Sequence, residues 1–332
     1  MKRFFILASA AIVALASCAK TEVVYKDAPQ EIAFKQVTGP MTKGLTGVND
    51  GTMGVFAQYN NDVPSPAVTN QEYFGNTKFV EKDATTSWHA ENTKYWPLEG
   101  KLDFTIYAPY NSASGVVVYD YASTPNKLVI NVPVNTTDQT DWLYGKNRYC
   151  TKSKSDNNLG VQLKHGLSKI SVTIASDNTD VFTIQGLSLC NAYQSGKLTI
   201  TYDDANSYLG TCAASDPANK QDAYQYQELD DASISNTVVT ATAKAFEDRL
   251  VFPSGNNDRY LVLLYKMSGS EAQLSAKIAL NDSWVTGKHY TYAIKMTATE
   301  ILLTPTVNGW DEGTVAEITG DIAIAEKPTP QP

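Results

Sequence analysis

The sequence is short of the residues from which active sites are usually built. Its 332 residues hold three histidines, His89, His165 and His289. They are scattered, without HxxxH or HExxH spacing, so no histidine metal motif is present. A GxSxG elbow, a P-loop and a dinucleotide-binding glycine pattern are likewise missing. Basic runs are absent: 27 Lys and Arg face 35 Asp and Glu, for a formal charge of −8. Such a chain offers nothing to a phosphate backbone, which excludes nucleic acid as a partner. Beyond the N-terminal segment no stretch is long and apolar enough to span a membrane, and a long amphipathic helical pattern is lacking. Cysteine is scarce, with only Cys18, Cys150, Cys190 and Cys212. No CxxC pair occurs, which excludes a zinc ribbon and a redox motif. Arginine is missing over a long interval, with none between Arg3 and Arg148.

What is present begins at the N-terminus. Lys2 and Arg3 precede an apolar run from Phe4 to Leu15, which closes with Ala16, Ser17 and Cys18. At about a dozen residues this run is too short for a hydrocarbon core of roughly 30 Å and reads as a signal-peptide h-region. Leu15-Ala16-Ser17-Cys18 resembles the lipobox of bacterial lipoproteins. That resemblance implies a signal peptide over residues 1–17, acylation of the Cys18 thiol, and a lipidated polar tether over 18–30. Acyl chains contribute ~0.8 kcal/mol per buried CH2, so such a protein is attached to a membrane without crossing it. For Cys150, Cys190 and Cys212 two readings stand, a Cys190–Cys212 disulfide or three buried free thiols, the second preferred.

After the tether the apolar residues recur with period two. Leu102, Phe104, Ile106 and Ala108 form one such set, and Ile170, Val172 and Ile174 another. Leu198 and Ile200, then Leu274, Ala276, Ile278 and Leu280, then Tyr290, Tyr292, Ile294 and Met296 continue the pattern. Alternation of this kind marks half-buried strands. Turn-forming clusters separate the sets, for example Asn49-Asp50-Gly51 and Ser268-Gly269-Ser270. The expected fold is therefore all-β, with two tandem β-sandwich domains over 31–158 and 159–325 and an extended tail over 326–332. The polar stretch 151–160 suggests the boundary. The stretch from Asp203 to Asp231, without clear periodicity, reads as a long surface loop.

Four segments together resemble the fimbrillins, the type V pilus subunits and related adhesin lipoproteins of the Bacteroidales. They are Gly51 to Tyr59; Tyr95-Trp96-Pro97 with Leu102 to Tyr110; Asp141 to Tyr144 with Val161 to Val172; and Trp284 to Tyr292 with Gly309 to Gly313. The resemblance covers most of the mature chain. It implies two transthyretin-like β-sandwiches, an outer-membrane lipid anchor exposed at the surface, and other fimbrial subunits as partners. It further implies cleavage by a trypsin-like protease after a basic residue behind the first strand. Losing that strand opens a groove that a neighbour's strand fills, by β-augmentation.

On this chain the resemblance puts the first strand at Glu31–Val37, with Ile32, Phe34 and Gln36 on one face, and the cut after Lys43. The chain departs from the family pattern, since the major fimbrillins are cut at arginine. Either a lysine-tolerant enzyme acts after Lys43, or the lipid is retained and the protein is an anchor or a non-polymerising surface adhesin. The donor-strand candidate is Val315, Ile318, Ile322 and Ile324; an ordinary last strand is the equal alternative.

The remaining constellations are read conservatively. His165, between Leu163 and Leu167, is expected to be a structural histidine near the domain junction. Asp203-Asp204 and Asp230-Asp231 are solvated loop charges before they are calcium ligands. No enzyme activity, cofactor or metal is expected. Trp88, Tyr95, Trp96, Tyr107, Tyr110, Tyr119 and Tyr121 are core residues by default, and an exposed platform for a glycan or a host protein by the alternative. The alternative function is thus a cell-surface lipoprotein that binds glycan without polymerising.

Overall fold

The structure is a computed structural model. It describes residues 29–34, 36–38, 51–60, 71–82, 87–121, 126–133, 140–152, 159–177, 181–201, 211–221, 224–225, 234, 236–255, 258–310, 315–316 and 322–323. Among these, every element is a strand. The first half runs through β1 (Ala33–Phe34), β2 (Gln36–Thr38), β3 (Thr52–Asn60), β4 (Gln71–Glu81), β5 (Trp88–Ala90), β6 (Lys101–Ala108), β7 (Val117–Asp120), β8 (Lys127–Val132), β9 (Leu143–Cys150), β10 (Gly160–Gln162) and β11 (Lys164–His165). The second half continues with β12 (Ser168–Ser176), β13 (Phe182–Cys190), β14 (Ala192–Thr201), β15 (Thr211–Gln221), β16 (Tyr224–Gln225), β17 (Thr237–Val239), β18 (Lys244–Ala245), β19 (Arg249–Val251) and β20 (Arg259–Met267). It ends with β21 (Leu274–Leu280), β22 (Lys288–Met296), β23 (Ile301–Gly309), β24 (Val315–Ala316) and β25 (Ile322–Ala323).

The first sheet has the order β1-β5-β4-β3-β6-β9-β11, and β10 pairs with β2 in a separate two-stranded sheet. Leu102, Phe104, Ile106 and Ala108 project from one side of β6 into a core shared with Met53, Val55 and Val161. The opposite side of β6 is covered as well. Tyr107 joins a second cluster with Phe56, Tyr119, Leu128 and Ile200. Burial on both faces explains why β3 and β6 are buried almost end to end rather than alternately. It also forces polar side chains on the second face to pair internally. Tyr119 Oη donates to Gln58 Oε1 at 3.1 Å, and Thr105 Oγ1 reaches Tyr119 Oη at 3.3 Å.

A residue without a side chain makes that double burial fit. Gly54 lies opposite Tyr107 in the β3–β6 ladder, and a Cβ on Gly54 would stand 2.1 Å from the Tyr107 ring. The ring therefore lies flat over bare backbone. Its hydroxyl reaches Asn76 Oδ1 at 2.8 Å and the Asn111 carbonyl at 3.0 Å. Burial pushes the Tyr107 phenol up to about 12.

In the second half, β12, β22 and β23 face β13, β20 and β21 across one apolar layer. Ile170, Val172 and Ile174 meet Leu187, Leu261, Leu263 and Ile278 there. The alternation read in the sequence is the alternation of burial along β12 and β22. One end of this core is closed by a buried cation. The Arg259 guanidinium lies 3.8 Å above the Trp284 ring. It donates to the Ser254 carbonyl at 3.2 Å and to the Asp282 carbonyl. Loss of water around it pulls its pKa down to about 10.

A four-stranded sheet, ordered β15-β14-β8-β7, links the halves, since β8 of the first pairs with β14 of the second. Just past residue 158, β10 and β11 pair back onto β2 and β9. One expectation is corrected here. Thr211–Gln221 is not loop but strand β15, paired along β14. Its outer edge is unpartnered among the described residues. Pro217, together with Asp216 and Asn219 at positive φ, breaks the regular pattern that would have signalled a strand.

Candidate functional site

The first strand occupies the edge of the first sheet. Residues 30–32 run antiparallel to residues 94–96: Ile32 N donates to the Lys94 carbonyl at 2.8 Å, and Trp96 N donates to the Gln30 carbonyl at 2.9 Å. Two residues on, Ala33 pairs with His89 and Phe34 with Trp88. Glu31 Oε1 meets His89 Nδ1 at 3.1 Å. The chain then leaves this sheet, and Gln36–Thr38 pairs in parallel with Gly160–Gln162.

Ile32 and Phe34 have no exposed surface at all. The Phe34 ring meets the rings of Phe79 and Phe104 edge-on, at 5.5 and 5.4 Å between centroids. Two large side chains are thus sunk into the core from a strand held by only a few ladder bonds. Burying each contributes roughly 1.5–3 kcal/mol. Withdrawing the strand leaves two adjoining apolar sockets and an open edge on β5.

Of the residues expected to act, the structure brings Ile32 and Phe34 together in this groove and puts Gln36 one sheet away. Cys18 and Lys43 lie outside the described residues. Among the donor-strand candidates, Val315 pairs with Asn308 and Ile322 with Leu303, both on β23; Ile318 and Ile324 lie outside the described residues. So do Asp203, Asp204, Asp230 and Asp231. Among the described residues no three His, Cys, Asp or Glu side chains gather around a metal-sized space. Cys150, Cys190 and Cys212 are free thiols. Burial pushes the Cys212 thiol up to about 12.

The expected aromatic cluster divides. Trp88, Trp96, Tyr107 and Tyr119 are buried and Tyr110 and Tyr121 pack partly against the core, which corrects the platform reading for them. Only Tyr95 stands out, 49% exposed. His165 is buried against Asp141 and Trp310, in the structural place expected of it. Two arrangements escaped the sequence. Ser171 Oγ joins His289 Nε2, at 2.6 Å, to Asp248, and Lys169 Nζ lies 2.5 Å from the same carboxylate. Asp248 meets the serine rather than the imidazole, so this is not the order of a hydrolytic triad. The other is a depression beside residues 97–99, lined by tyrosines that had no shared spacing in the sequence.

Comparison with known proteins bears on the whole architecture. A family model described as fimbrillin-like matches residues 47–310. No curated protein matches the chain. Among solved structures, a candidate cell adhesion protein from Bacteroides uniformis ATCC 8492 is 17% identical with a TM-score of 0.51, covering 84% of this chain and 99% of its own. A candidate cell adhesion protein from Bacteroides ovatus ATCC 8483 is 13% identical with a TM-score of 0.49, covering 86% and 99%. The tip fimbrial protein Mfa3 from Porphyromonas gingivalis, with a C-terminal truncation, is 12% identical with a TM-score of 0.43, covering 85% and 100%. The first of these shares the fold.

Proposed function

The chain belongs to the fimbrillin-like family, and from that premise we propose that it is a structural subunit of a type V pilus, contributing to adhesion. In this reading it is exported as a lipoprotein through Cys18 and anchored in the outer membrane. Assembly follows when a protease cuts after Lys43 and removes the first strand with its lipid. Two tandem units, 31–158 and 159–325, belong to the same reading, with β10 and β11 as the joint between them. The family is fimbrial rather than enzymatic.

One observation carries the proposal. Ile32 and Phe34 are wholly buried, yet only Phe34 lies in the two-residue edge strand β1, Ile32 stands just before it, and the chain switches sheets directly afterwards. A strand so placed contributes much to the core and little to the ladder, so another strand of the same pattern can replace it. The replacement restores backbone pairing at β5 and refills both sockets. Other subunits are the partners, and the segment holding Val315, Ile318, Ile322 and Ile324 is the candidate donor. In the precursor its pieces at Val315–Ala316 and Ile322–Ala323 rest on β23 of their own chain, in two-residue pairings.

The missing arginine favours a second reading, a lipoprotein adhesin that keeps its anchor and never polymerises. Incubating the purified precursor with trypsin separates the two. Discrete cleavage near Lys43 followed by SDS-resistant ladders supports assembly. An uncut chain, or a cut one that stays monomeric, overturns it.

A further inference from the structure

The depression beside residues 97–99 is separate from the assembly groove's interior and has a chemistry of its own. Its volume is about 550 Å³, within the roughly 300–1,000 Å³ of small-ligand sites. Two elements build it. The end of the β3–β4 hairpin supplies Tyr59, Gln71, Glu72 and Tyr73, and the segment before β6 supplies Leu98 and Glu99.

The two tyrosines make a floor. Their ring centroids are 6.4 Å apart and their planes 30° from parallel, which gives a shallow, nearly continuous aromatic surface rather than a cage around a point. Tyr59 is locked from below, because its ring lies over Gly100, where a Cβ would stand 2.6 Å from it. Tyr73 is 37% exposed and its hydroxyl is engaged by the Tyr95 carbonyl at 2.9 Å. With the phenol tethered, it is the ring face that is offered. Leu98, 89% exposed, extends the apolar surface at the rim. Around this floor stand Glu99 and the amide of Gln71; Glu72 also borders the depression, but its carboxylate turns to the other face of β4, where a Cβ on Gly75 would stand 2.9 Å from it. Among the described residues the Glu99 carboxylate forms no ion pair.

From this we infer that the depression is a binding site for a neutral glycan, taken up with a pyranose ring laid on Tyr59 and Tyr73. A sugar ring has an apolar C–H face that stacks on aromatic faces and a rim of hydroxyls. The Glu99 carboxylate accepts hydroxyl hydrogens through two oxygens, and the Gln71 amide both donates and accepts. The site's charge sets the specificity. A carboxylate, that of Glu99, with no lining cation disfavours sialylated, sulfated and uronic-acid glycans. An ammonium group would satisfy the carboxylate but leave a floor of this breadth largely uncovered. The inference does not depend on strand exchange, and a subunit that never polymerised would carry the same site.

The test is binding of the full chain, by isothermal calorimetry and ligand-observed NMR, to linear neutral oligosaccharides of glucose, mannose and galactose. Sialyllactose, a heparin oligosaccharide and decalysine serve as contrasts. Binding is expected for at least one neutral series and for none of the three contrasts. Tyr73→Ala should weaken it about tenfold. Leu98→Asp, at an exposed position whose change leaves the core intact, should weaken it several-fold. Val238→Ser, at a distant exposed valine, should leave it unchanged. Absence of binding to every neutral series overturns the assignment. So does neutral binding indifferent to both Tyr73→Ala and Leu98→Asp, or decalysine binding that these variants abolish.

Discussion

The imidazole of His165 lies flat on the indole of Trp310, with ring centroids 3.3 Å apart and planes 3° from parallel. At its edge, Nδ1 meets the two carboxylate oxygens of Asp141 at 2.8 and 2.9 Å. Asp141 stands before β9, His165 ends β11 and Trp310 follows β23, so this one contact ties the first sheet to the last long strand of the second half. Trp310→Ala should lower stability by about 1–3 kcal/mol, and Trp310→Phe, which keeps a ring over the imidazole, by less. Urea midpoints of the two variants check the order. An alanine variant as stable as the parent would make the stack incidental.

Gly54 is the second constraint open to direct test. Alanine there puts a methyl inside the space of the Tyr107 ring, 2.1 Å from its nearest carbon. The ring cannot retreat without giving up Asn76 and Asn111. Gly54→Ala should cost about 1–3 kcal/mol by overpacking. The double variant Gly54→Ala with Tyr107→Leu should recover part of that loss, since the smaller side chain frees the space. Thermal melts of the three proteins measure both effects, and the absence of recovery would place the strain elsewhere.

How much of this was legible in the sequence depends on what each residue's neighbours are. Strands whose two faces meet different media, such as β12 and β22, write their burial as period two and were readable. So was the family, because turns and aromatics such as Tyr95-Trp96-Pro97 sit locally in the chain. β15 was not readable, because it is an exposed edge strand with Pro217 in it, and only its partner β14 makes it a strand. Ile32 and Phe34 were picked out as facing one way, but nothing in their spacing tells that the chain changes sheets after Phe34. The tyrosine floor was invisible for a similar reason. Tyr59 and Tyr73 come from the two arms of a hairpin and Leu98 from a third segment, so no linear pattern joins them. The sequence drew attention instead to Trp88, Trp96 and Tyr107, which proved to be core.

His289 gives the fold a pH dependence of predictable sign. Its neighbours are Ser171, Asp248 and Lys169, and its pKa is lowered by burial and by the Lys169 ammonium, against the opposing pull of Asp248. A lowered folded value means that the unfolded chain binds the proton first. Stability from this group is therefore full above its unfolded value of 6.5 and lost as pH falls from there through the lower folded value. His289→Gln keeps a donor toward Ser171 and removes the titration. Urea midpoints of parent and variant should diverge between about pH 7.5 and pH 5, the parent falling more steeply. Parallel curves would contradict the assignment.

The thiols should be silent until the chain opens. Cys150 and Cys190 are buried, and the Cys212 thiol is held up at about 12 by burial, so little thiolate exists at neutral pH. Ellman's reagent should react slowly with the native body and quickly with all three in denaturant. Fast labelling of Cys212 in native protein would show that β15 opens at the sheet edge.

The sockets of the first strand make the sharpest prediction about assembly. Phe34→Ala removes a ring packed edge-on against Phe79 and Phe104 and should cost about 3–5 kcal/mol. Two pictures then diverge. If the first strand is an inseparable part of the core, the loss is global, and trypsin digests the variant to small fragments. If the strand is a replaceable element in a preformed groove, the loss falls on the strand alone: trypsin cuts faster near Lys43 and leaves a discrete body. In the second case a synthetic peptide spanning residues 29–38 with the native Ile32 and Phe34, added in excess, should raise the melting temperature of that body, because a ligand that binds only the folded form stabilises it by mass action. The same peptide carrying alanine at both positions should not. Stabilisation by the alanine peptide, or by neither, would mean that the two sockets do not select the strand.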